Sequence, residues 1–241
     1  MAYDLKNEED VKEYIQNLGT EYRFGCFNEK KPEVCHLLGD FLESISKDYQ
    51  KAGKVYRSNC DDYNFPKSCY KIGTYHLSGK GGVEVNGTKA FNYYEKGCNL
   101  GDSDACFRAG WLSILNVKKK KDGKQFLEDQ KTFLQGVKCL TKGCEKNHSE
   151  SCHHLSSLYM DGNTVEGDVL QKDMAQAFSF ALKACELGQV HACANVSLMY
   201  KRGEGVDKDE KKSEVYRRIA LDKIGEANAP QLTFQEGLKP A

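Results

Sequence analysis

The sequence predicts an all-α fold: a right-handed α/α solenoid of about five helical hairpins, closed by a C-terminal capping helix. Three observations support this prediction. Cysteine pairs recur at nearly constant spacing, apolar residues lie at helical offsets around each pair, and Gly-rich links separate the units. The pairs are Cys26/Cys35, Cys60/Cys69, Cys98/Cys106, Cys144/Cys152 and Cys185/Cys193. Their first cysteines are 34, 38, 46 and 41 residues apart, a period typical of helical solenoids.

The first helix of each hairpin, helix A, is predicted to end at the first cysteine of the pair. Four residues before that cysteine stand Tyr22, Tyr56, Tyr94, Leu140 and Ala181. Eight residues before it stand Leu18, Ala52, Ala90, Gly136 and Ala177. Offsets of four and eight residues mark one face of an α-helix, so helix A is expected to bury this face.

The second helix, helix B, is predicted to contain the second cysteine. Three residues after it stand the apolar residues Leu38, Ile72, Ala109, Leu155 and Val196. The next position is always small: Gly39, Gly73, Gly110, Ser156 and Ser197. A glycine inside a helix costs about 1 kcal/mol relative to alanine. Its recurrence therefore indicates that another backbone packs closely against helix B.

Gly-rich links lie between units, as in Gly79-Lys-Gly-Gly and Gly203-Glu-Gly, because glycine supplies the positive φ needed to end helix B. The predicted units are 8–48, 49–86, 87–123, 127–172 and 173–208, followed by a capping helix at 209–225 and a flexible tail at 226–241. A lysine-rich insertion at 117–131 is interpreted as a solvated loop. Contact with an acidic partner or a phosphate is the alternative interpretation of these lysines.

Composition excludes several classes of function. The 35 basic and 35 acidic residues give a net charge of zero, which disfavours binding to nucleic acid or to an anionic membrane surface. No apolar run approaches the ~18 residues of a membrane-spanning helix. The acidic N-terminal segment has neither a secretory core nor an Arg-rich transit pattern. A protein without a membrane span, monomeric in solution, is expected.

One segment resembles a known repeat family. Residues 90–110 read Ala-x3-Tyr-x3-Cys-x-Leu-Gly-Asp-x2-Ala-Cys-x3-Gly, and 177–195 repeat much of this pattern. The pattern resembles Sel1-like repeats, in their cysteine-rich version. That family includes secreted bacterial β-lactamase-like proteins and an animal branch of the mitochondrial intermembrane space. The resemblance covers roughly residues 8 to 235, and motifs such as Ser68-Cys-Tyr-Lys71 and Gln231-Leu-Thr-Phe234 are closest to the mitochondrial branch.

The resemblance implies one disulfide within each hairpin, joining the two cysteines of every pair. Geometry is compatible, because packed helices can bring α-carbons near their turn within the roughly 4.4–6.8 Å that a disulfide requires. Zinc is disfavoured, since its cysteine ligands usually stand about two to four residues apart. Cys139 occupies a helix A core position and is predicted to be a buried free thiol. A reactive cysteine is the alternative.

No catalytic, cofactor-binding or metal-binding residue is predicted. Ser44-x-x-Lys47 and Ser68-x-x-Lys71 match the nucleophile motif of β-lactamases, but the companion Ser-Asp-Asn and Lys-Thr-Gly motifs are missing. Histidines near the second cysteines raise the question of metal or haem: His36, His148, His153 and His154. Because no Cys-x-x-Cys-His motif occurs, haem held without a covalent bond is the alternative to the expected absence of a cofactor.

The resemblance also implies a function. It implies a non-enzymatic, protein-binding role in the assembly of mitochondrial respiratory-chain complexes, chiefly cytochrome c oxidase, in the intermembrane space. The expected partners are assembly clients and the disulfide-relay oxidoreductase of import, for which Tyr22, Phe24 and Phe27 would form an apolar docking patch. Two alternatives stay open. They are a haem-binding or thiol-disulfide oxidoreductase acting on copper or haem chaperones, and a β-lactamase-like or penicillin-binding secreted protein.

Overall fold

Helices alternate with short turns throughout residues 3–4, 6–118, 126–162 and 170–228, which the computed structural model describes. In these ranges all regular structure is helical, so the predicted all-α fold of helical hairpins is confirmed. The chain forms two units, residues 1–146 and 147–241. None of the helices in the described ranges has both the length and the apolar character that a membrane crossing requires.

The first unit contains three consecutive hairpins and one further helix. Its helices are α1 (Glu8–Phe27), α2 (Pro32–Ser44), α3 (Tyr49–Asp61), α4 (Pro66–Ser78), α5 (Gly87–Asn99), α6 (Ser103–Lys118) and α7 (Phe126–Glu145). Each helix packs against the next, and α4 also contacts α6 while α5 contacts α7. This stacking of neighbours in sequence is the packing pattern of a solenoid. Of the predicted insertion, residues 119–125 lie outside the described residues.

The second unit contains one hairpin with a helix on either side. Its helices are α8 (Ser149–Asp161), α9 (Met174–Glu186), α10 (Val190–Arg202) and α11 (Glu210–Asn228). Each packs against the next in the chain. The helix α11 corresponds to the predicted capping helix and continues three residues into the predicted tail, and residues 229–241 of that tail lie outside the described residues.

Local sequence explains where the helices begin. The side chains of Asn7, Asp48, Asn86, Asp173 and Asp209 each accept a hydrogen bond from a backbone N–H two or three residues later. These bonds satisfy N–H groups that a helix start leaves unpaired. The helices α2 and α4 instead begin at Pro32 and Pro66, where the missing N–H of proline costs nothing.

Most residues predicted for the helix faces form the core, whereas Leu18 and Tyr22 of α1 are only half-buried. Leu38, Ile72, Ala109, Leu155 and Val196 of the helix B positions are all completely buried. Of the predicted helix A positions, Ala52, Tyr56, Ala90, Leu140 and Ala177 are completely buried as well. Burying a large apolar side chain contributes about 1.5–3 kcal/mol to the free energy of folding, so this core stabilises the stack. One link also packs tightly, because a Cβ on Gly81 would lie 2.6 Å from the carbonyl oxygen of Tyr49.

Candidate protein-binding groove

The structure brings four of the predicted cysteine pairs to disulfide-bonding distance. The Sγ–Sγ distances are 2.12 Å for Cys26–Cys35, 2.09 Å for Cys60–Cys69, 2.05 Å for Cys98–Cys106 and 2.12 Å for Cys185–Cys193. Each of these bridges joins the end of helix A to the start of helix B. The fifth predicted pair has one cysteine in each unit, Cys144 in the first and Cys152 in the second. Its disulfide remains a prediction.

Cys139 of α7 is a free thiol buried in the core beside Ala109 and Leu112. Burial, reinforced by the carboxylate of Glu95, raises the pKa of this thiol to about 11. Because the thiolate is the reactive form of cysteine, this environment makes Cys139 a poor nucleophile.

Ser68 lies at the centre of a polar cluster that sequence reasoning missed. Asn59 Nδ2 donates to Ser68 Oγ over 2.8 Å and to the carbonyl oxygen of Pro32 over 2.8 Å. The remaining Ser68 partner is His36 Nδ1 at 3.0 Å. Since Ser68 Oγ accepts from Asn59, its own proton is available for His36 Nδ1. Burial lowers the pKa of His36, although Asp40, 3.6 Å from Nε2, opposes this effect.

The two Ser-x-x-Lys motifs do not form nucleophile sites. Ser68 is completely buried and bonds to His36 rather than to Lys71. Lys71 Nζ instead lies 3.0 Å from Asp40 Oδ1 and 3.0 Å from Glu43 Oε2. Burial disfavours the charge of Lys71, but its hydrogen bonds to Asp40 and Glu43 outweigh burial and raise its pKa. In the other motif, Ser44 Oγ donates to the carbonyl oxygen of Asp40.

The histidines of unit 2 sit close together without forming a described metal site. The His153 ring lies 6.0 Å from the His154 ring and 6.4 Å from the His191 ring, centroid to centroid. Burial lowers the pKa of His153, and His191 adds to this effect. Among the side chains that the structure describes, no group of three or more His, Cys, Asp or Glu is arranged to hold a metal ion.

An apolar cavity of about 360 Å³ opens between α1 and α3. Its floor consists of the buried side chains Leu38, Leu42 and Val55. Arg23 of α1 and Lys54 of α3 stand on its rim. Neither cation forms an ion pair with a carboxylate of the described residues. The cavity therefore combines an apolar interior with uncompensated positive charge at its edge.

A second cavity, of about 450 Å³, lies between α3 and α5 and is lined mainly by polar side chains. Arg57 and Lys89 line it without an ion pair to any described carboxylate. Tyr93 in its wall stacks on His76 with the ring centroids 5.5 Å apart. Burial lowers the pKa of His76, and Arg57 and Lys89 reinforce the shift although a hydrogen bond to the Glu84 carbonyl opposes it. This groove is thus basic because of Arg57 and Lys89 rather than His76.

The groove between α10 and α11 in unit 2 differs in charge from the two cavities of unit 1. It encloses about 660 Å³ and is lined by the exposed apolar residues Leu198, Leu221 and Ile224. Its acidic and basic groups compensate each other, since Arg217 donates to Glu214 over 2.8 and 2.9 Å. Lys201 also lines it without an ion pair to a described carboxylate, but the two cations and the two carboxylates of the lining balance in number.

The predicted aromatic docking patch is only partly exposed. Phe24 and Phe27 are 56% and 61% exposed, and Phe27 also lines the α1/α3 cavity. Tyr22, in contrast, is half-buried and packs edge-on against Phe41 with the ring centroids 6.1 Å apart. The exposed apolar surface at this end of α1 therefore consists of the two phenylalanines.

Comparison with known proteins gives consistent matches. The family model "Sel1 repeat" matches residues 66–102, 149–189 and 190–216. The chain is 45% identical to "Cytochrome c oxidase assembly factor 7 homolog" from Drosophila melanogaster, over 99% of this chain and 98% of the relative. It is 35% identical to "Cytochrome c oxidase assembly factor 7" from Homo sapiens, over 96% and 97%. The crystal structure of a Sel1 repeat protein from Oxalobacter formigenes has the same fold, with a TM-score of 0.63 at 17% identity over 89% of this chain and 79% of that one.

Proposed function

The chain belongs to the cytochrome c oxidase assembly factor 7 family of Sel1-repeat proteins, and from this membership we propose that it acts in the assembly of cytochrome c oxidase. The observation that carries the proposal is sequence similarity along the whole chain, since both the relatives and this protein are covered almost completely. The resemblance noted from the sequence leads to the same function.

The proposed mode of action is non-enzymatic binding of a client protein. Stacked helical hairpins present extended surfaces that suit protein binding. The cavities beside α3 supply an apolar floor and a basic rim on such a surface. The burial of Ser68 and the engagement of Lys71 by two carboxylates argue against hydrolysis through the Ser-x-x-Lys motif.

The proposed location is the mitochondrial intermembrane space. Disulfides persist in oxidising compartments, and four cysteine pairs lie at bonding distance. In this proposal the disulfide-relay oxidoreductase oxidises the chain after entry and recognises the exposed Phe24 and Phe27 beside Cys26. All five hairpin bridges, including Cys144–Cys152, are proposed to form in the native protein.

Loss of the protein tests this function. Cells in which the gene is disrupted are expected to contain less assembled cytochrome c oxidase on native gels, and re-expression of the wild-type chain should restore it. Normal amounts of the assembled enzyme after disruption would disprove the proposal.

Sub-mitochondrial fractionation and depletion of the relay oxidoreductase test the location separately. The protein should be accessible to protease once the outer membrane is ruptured, and its level should fall when the oxidoreductase is depleted. An unchanged level would exclude import through the relay while leaving the role in assembly intact.

A further inference from the structure

We infer that the two cavities beside α3 bind an acidic amphipathic segment of the client protein, with a bulky apolar side chain in the α1/α3 cavity and carboxylates on the surrounding cations. This inference rests on the proposed function, because it specifies what the client presents to the scaffold. The surface comprising both cavities is called the α3 groove below.

The two cavities flank one continuous surface. Lys51, Lys54, Val55 and Ser58 of α3 line the first cavity, at spacings of three and four residues. Arg57 and Asp61 line the second. Residues 54, 57, 58 and 61 recur at helical spacing on the exposed face of α3. A single segment lying across this face can therefore reach both cavities.

Four cations surround this face without an ion pair to any carboxylate that the structure describes: Arg23, Lys54, Arg57 and Lys89. The protein as a whole has no net charge, so their clustering is a local feature. Lys71 of the same unit is, in contrast, compensated by Asp40 and Glu43. Complementary charge across an interface steers association and selects the partner, which favours an acidic segment here.

The apolar cavity specifies the second property of the partner. Its volume of about 360 Å³ falls in the range of roughly 300–1,000 Å³ that is typical of ligand pockets. Leu38 and Leu42 in its floor offer no polar group to a ligand. An aromatic or large aliphatic side chain inserted into such a pocket is the usual energetic centre of a protein interface. A polyanion without apolar groups would leave this cavity unused.

Binding of synthetic peptides to the full chain tests the inference. The probe is a fluorescein-labelled amphipathic helix carrying one Phe between glutamates, with two relatives in which Phe is replaced by Ser or every Glu by Lys. Fluorescence anisotropy should show that the acidic Phe peptide binds roughly tenfold or more tightly than either relative. Equal affinity for the Phe and Ser peptides would overturn the inference.

Matched variants locate the binding surface. The double substitution Lys54→Glu with Arg57→Glu should weaken the acidic peptide roughly tenfold and strengthen the lysine peptide. The control, Lys201→Glu with Lys211→Glu, makes the same charge change on unit 2. It should leave the affinity for both peptides unchanged. Ser58→Trp fills the first cavity from an exposed position, while Ser44→Trp is the control of equal size. Unaltered melting temperatures show that the variants are folded.

A lipid surface is the competing occupant. Vesicles of phosphatidylcholine with phosphatidylglycerol should bind weakly and without dependence on Lys54, Arg57 or Ser58. Vesicle binding that the groove variants abolish, together with an acidic peptide that does not bind, would overturn the inference in favour of a membrane.

Rescue of the disrupted cells separates this inference from the proposed function. If the wild-type chain fails to restore cytochrome c oxidase, the proposed function is wrong whatever the peptides do. If the wild-type chain and the groove variants restore it equally, and the variants bind the acidic peptide like the wild type, only the inference is wrong. If the wild-type chain restores cytochrome c oxidase and both groove variants fail to restore it, the proposed function and the inference are both supported.

Discussion

The ring of Tyr56 packs directly over Gly39, so closely that a Cβ at position 39 would lie 2.3 Å from Tyr56 Cε1. The ring cannot withdraw without loss, because its hydroxyl donates to Asp40 Oδ1 at 2.6 Å and lies 3.0 Å from Glu43 Oε2. The next hairpin repeats the contact, since a Cβ on Gly73 would lie 2.8 Å from Tyr94. The tyrosine of helix A thus fills the space that the glycine of the preceding helix B leaves.

Substitution of Gly39 by alanine should destabilise the protein. The added methyl group must displace the fully buried Tyr56, which we expect to cost about 1–3 kcal/mol in the free energy of unfolding. Gly225→Ala in α11 is the control, because no atom lies within 4 Å of a Cβ there. That change should instead stabilise by about 0.5–1 kcal/mol through helix propensity. Urea unfolding measures the free energy of unfolding of both variants. If Gly39→Ala left it unchanged, the Tyr56 ring would be shown to move freely.

Ser68→Ala should destabilise the protein by about 1–3 kcal/mol, because it leaves His36 Nδ1 without its buried hydrogen-bond partner. Ser44→Ala removes an exposed hydroxyl and should change stability by about 0.5 kcal/mol or less. Thermal unfolding of the two variants provides the comparison. Nitrocefin hydrolysis by the wild type that Ser68→Ala abolishes would contradict a purely structural role for Ser68.

Replacement of Cys98 and Cys106 together by serine should cost about 2.5 kcal/mol of stability, as the chain-entropy model predicts for so short a loop. Mass spectrometry of the unfolded, non-reduced protein after alkylation should first show a single modified thiol in the wild type. Eleven modified cysteines would mean that the hairpins are held by packing alone.

Cys139 should react slowly with iodoacetamide in the native protein. Its pKa of about 11 leaves on the order of a hundredfold less thiolate at neutral pH than an ordinary cysteine. Labelling should accelerate in urea, where the thiol becomes exposed. Rapid labelling under native conditions would show that α7 opens readily around this residue.

Stability should fall as the pH decreases from about 7 to 5.5. Burial lowers the pKa of His36, His76 and His153 in the folded state. The unfolded chain then binds more protons below its ordinary histidine pKa of about 6.5, and protonation favours unfolding. His36→Gln should reduce this loss, which melting temperatures at the two pH values measure. Identical pH dependence in the variant would assign the effect to the other histidines.

Much of the fold could be predicted from local sequence. The caps Asp48 and Asn86, the cysteine spacing and the apolar offsets each depend on residues within one or two helical turns. They therefore identify helix ends and core faces without knowledge of the tertiary structure. The small positions of helix B were also predicted, although the expected neighbour was a backbone. At Gly39 it is instead a tyrosine ring, whereas a backbone carbonyl also lies close at the next two positions: that of Ala90 at Gly73 and that of Gly136 at Gly110.

The candidate site could not be predicted in the same way. Glu43 pairs with Lys71 and Lys80, which are separated from it by 28 and 37 residues, and no local pattern relates such positions. The α3 groove likewise depends on how far apart α1, α3 and α5 lie. The sequence alone contained the lysines and arginines but not which of them lack a carboxylate partner.

The interactions of Glu43 also have a consequence for local unfolding. Lys80 Nζ lies 2.5 Å from Glu43 and 4.5 Å from the centre of the Tyr49 ring, so the link after α4 holds α2 from one repeat away. Detaching the first hairpin would leave Lys71 and Lys80 without the carboxylates of Asp40 and Glu43. We therefore expect the first two repeats to open together in native-state hydrogen exchange, rather than one hairpin at a time.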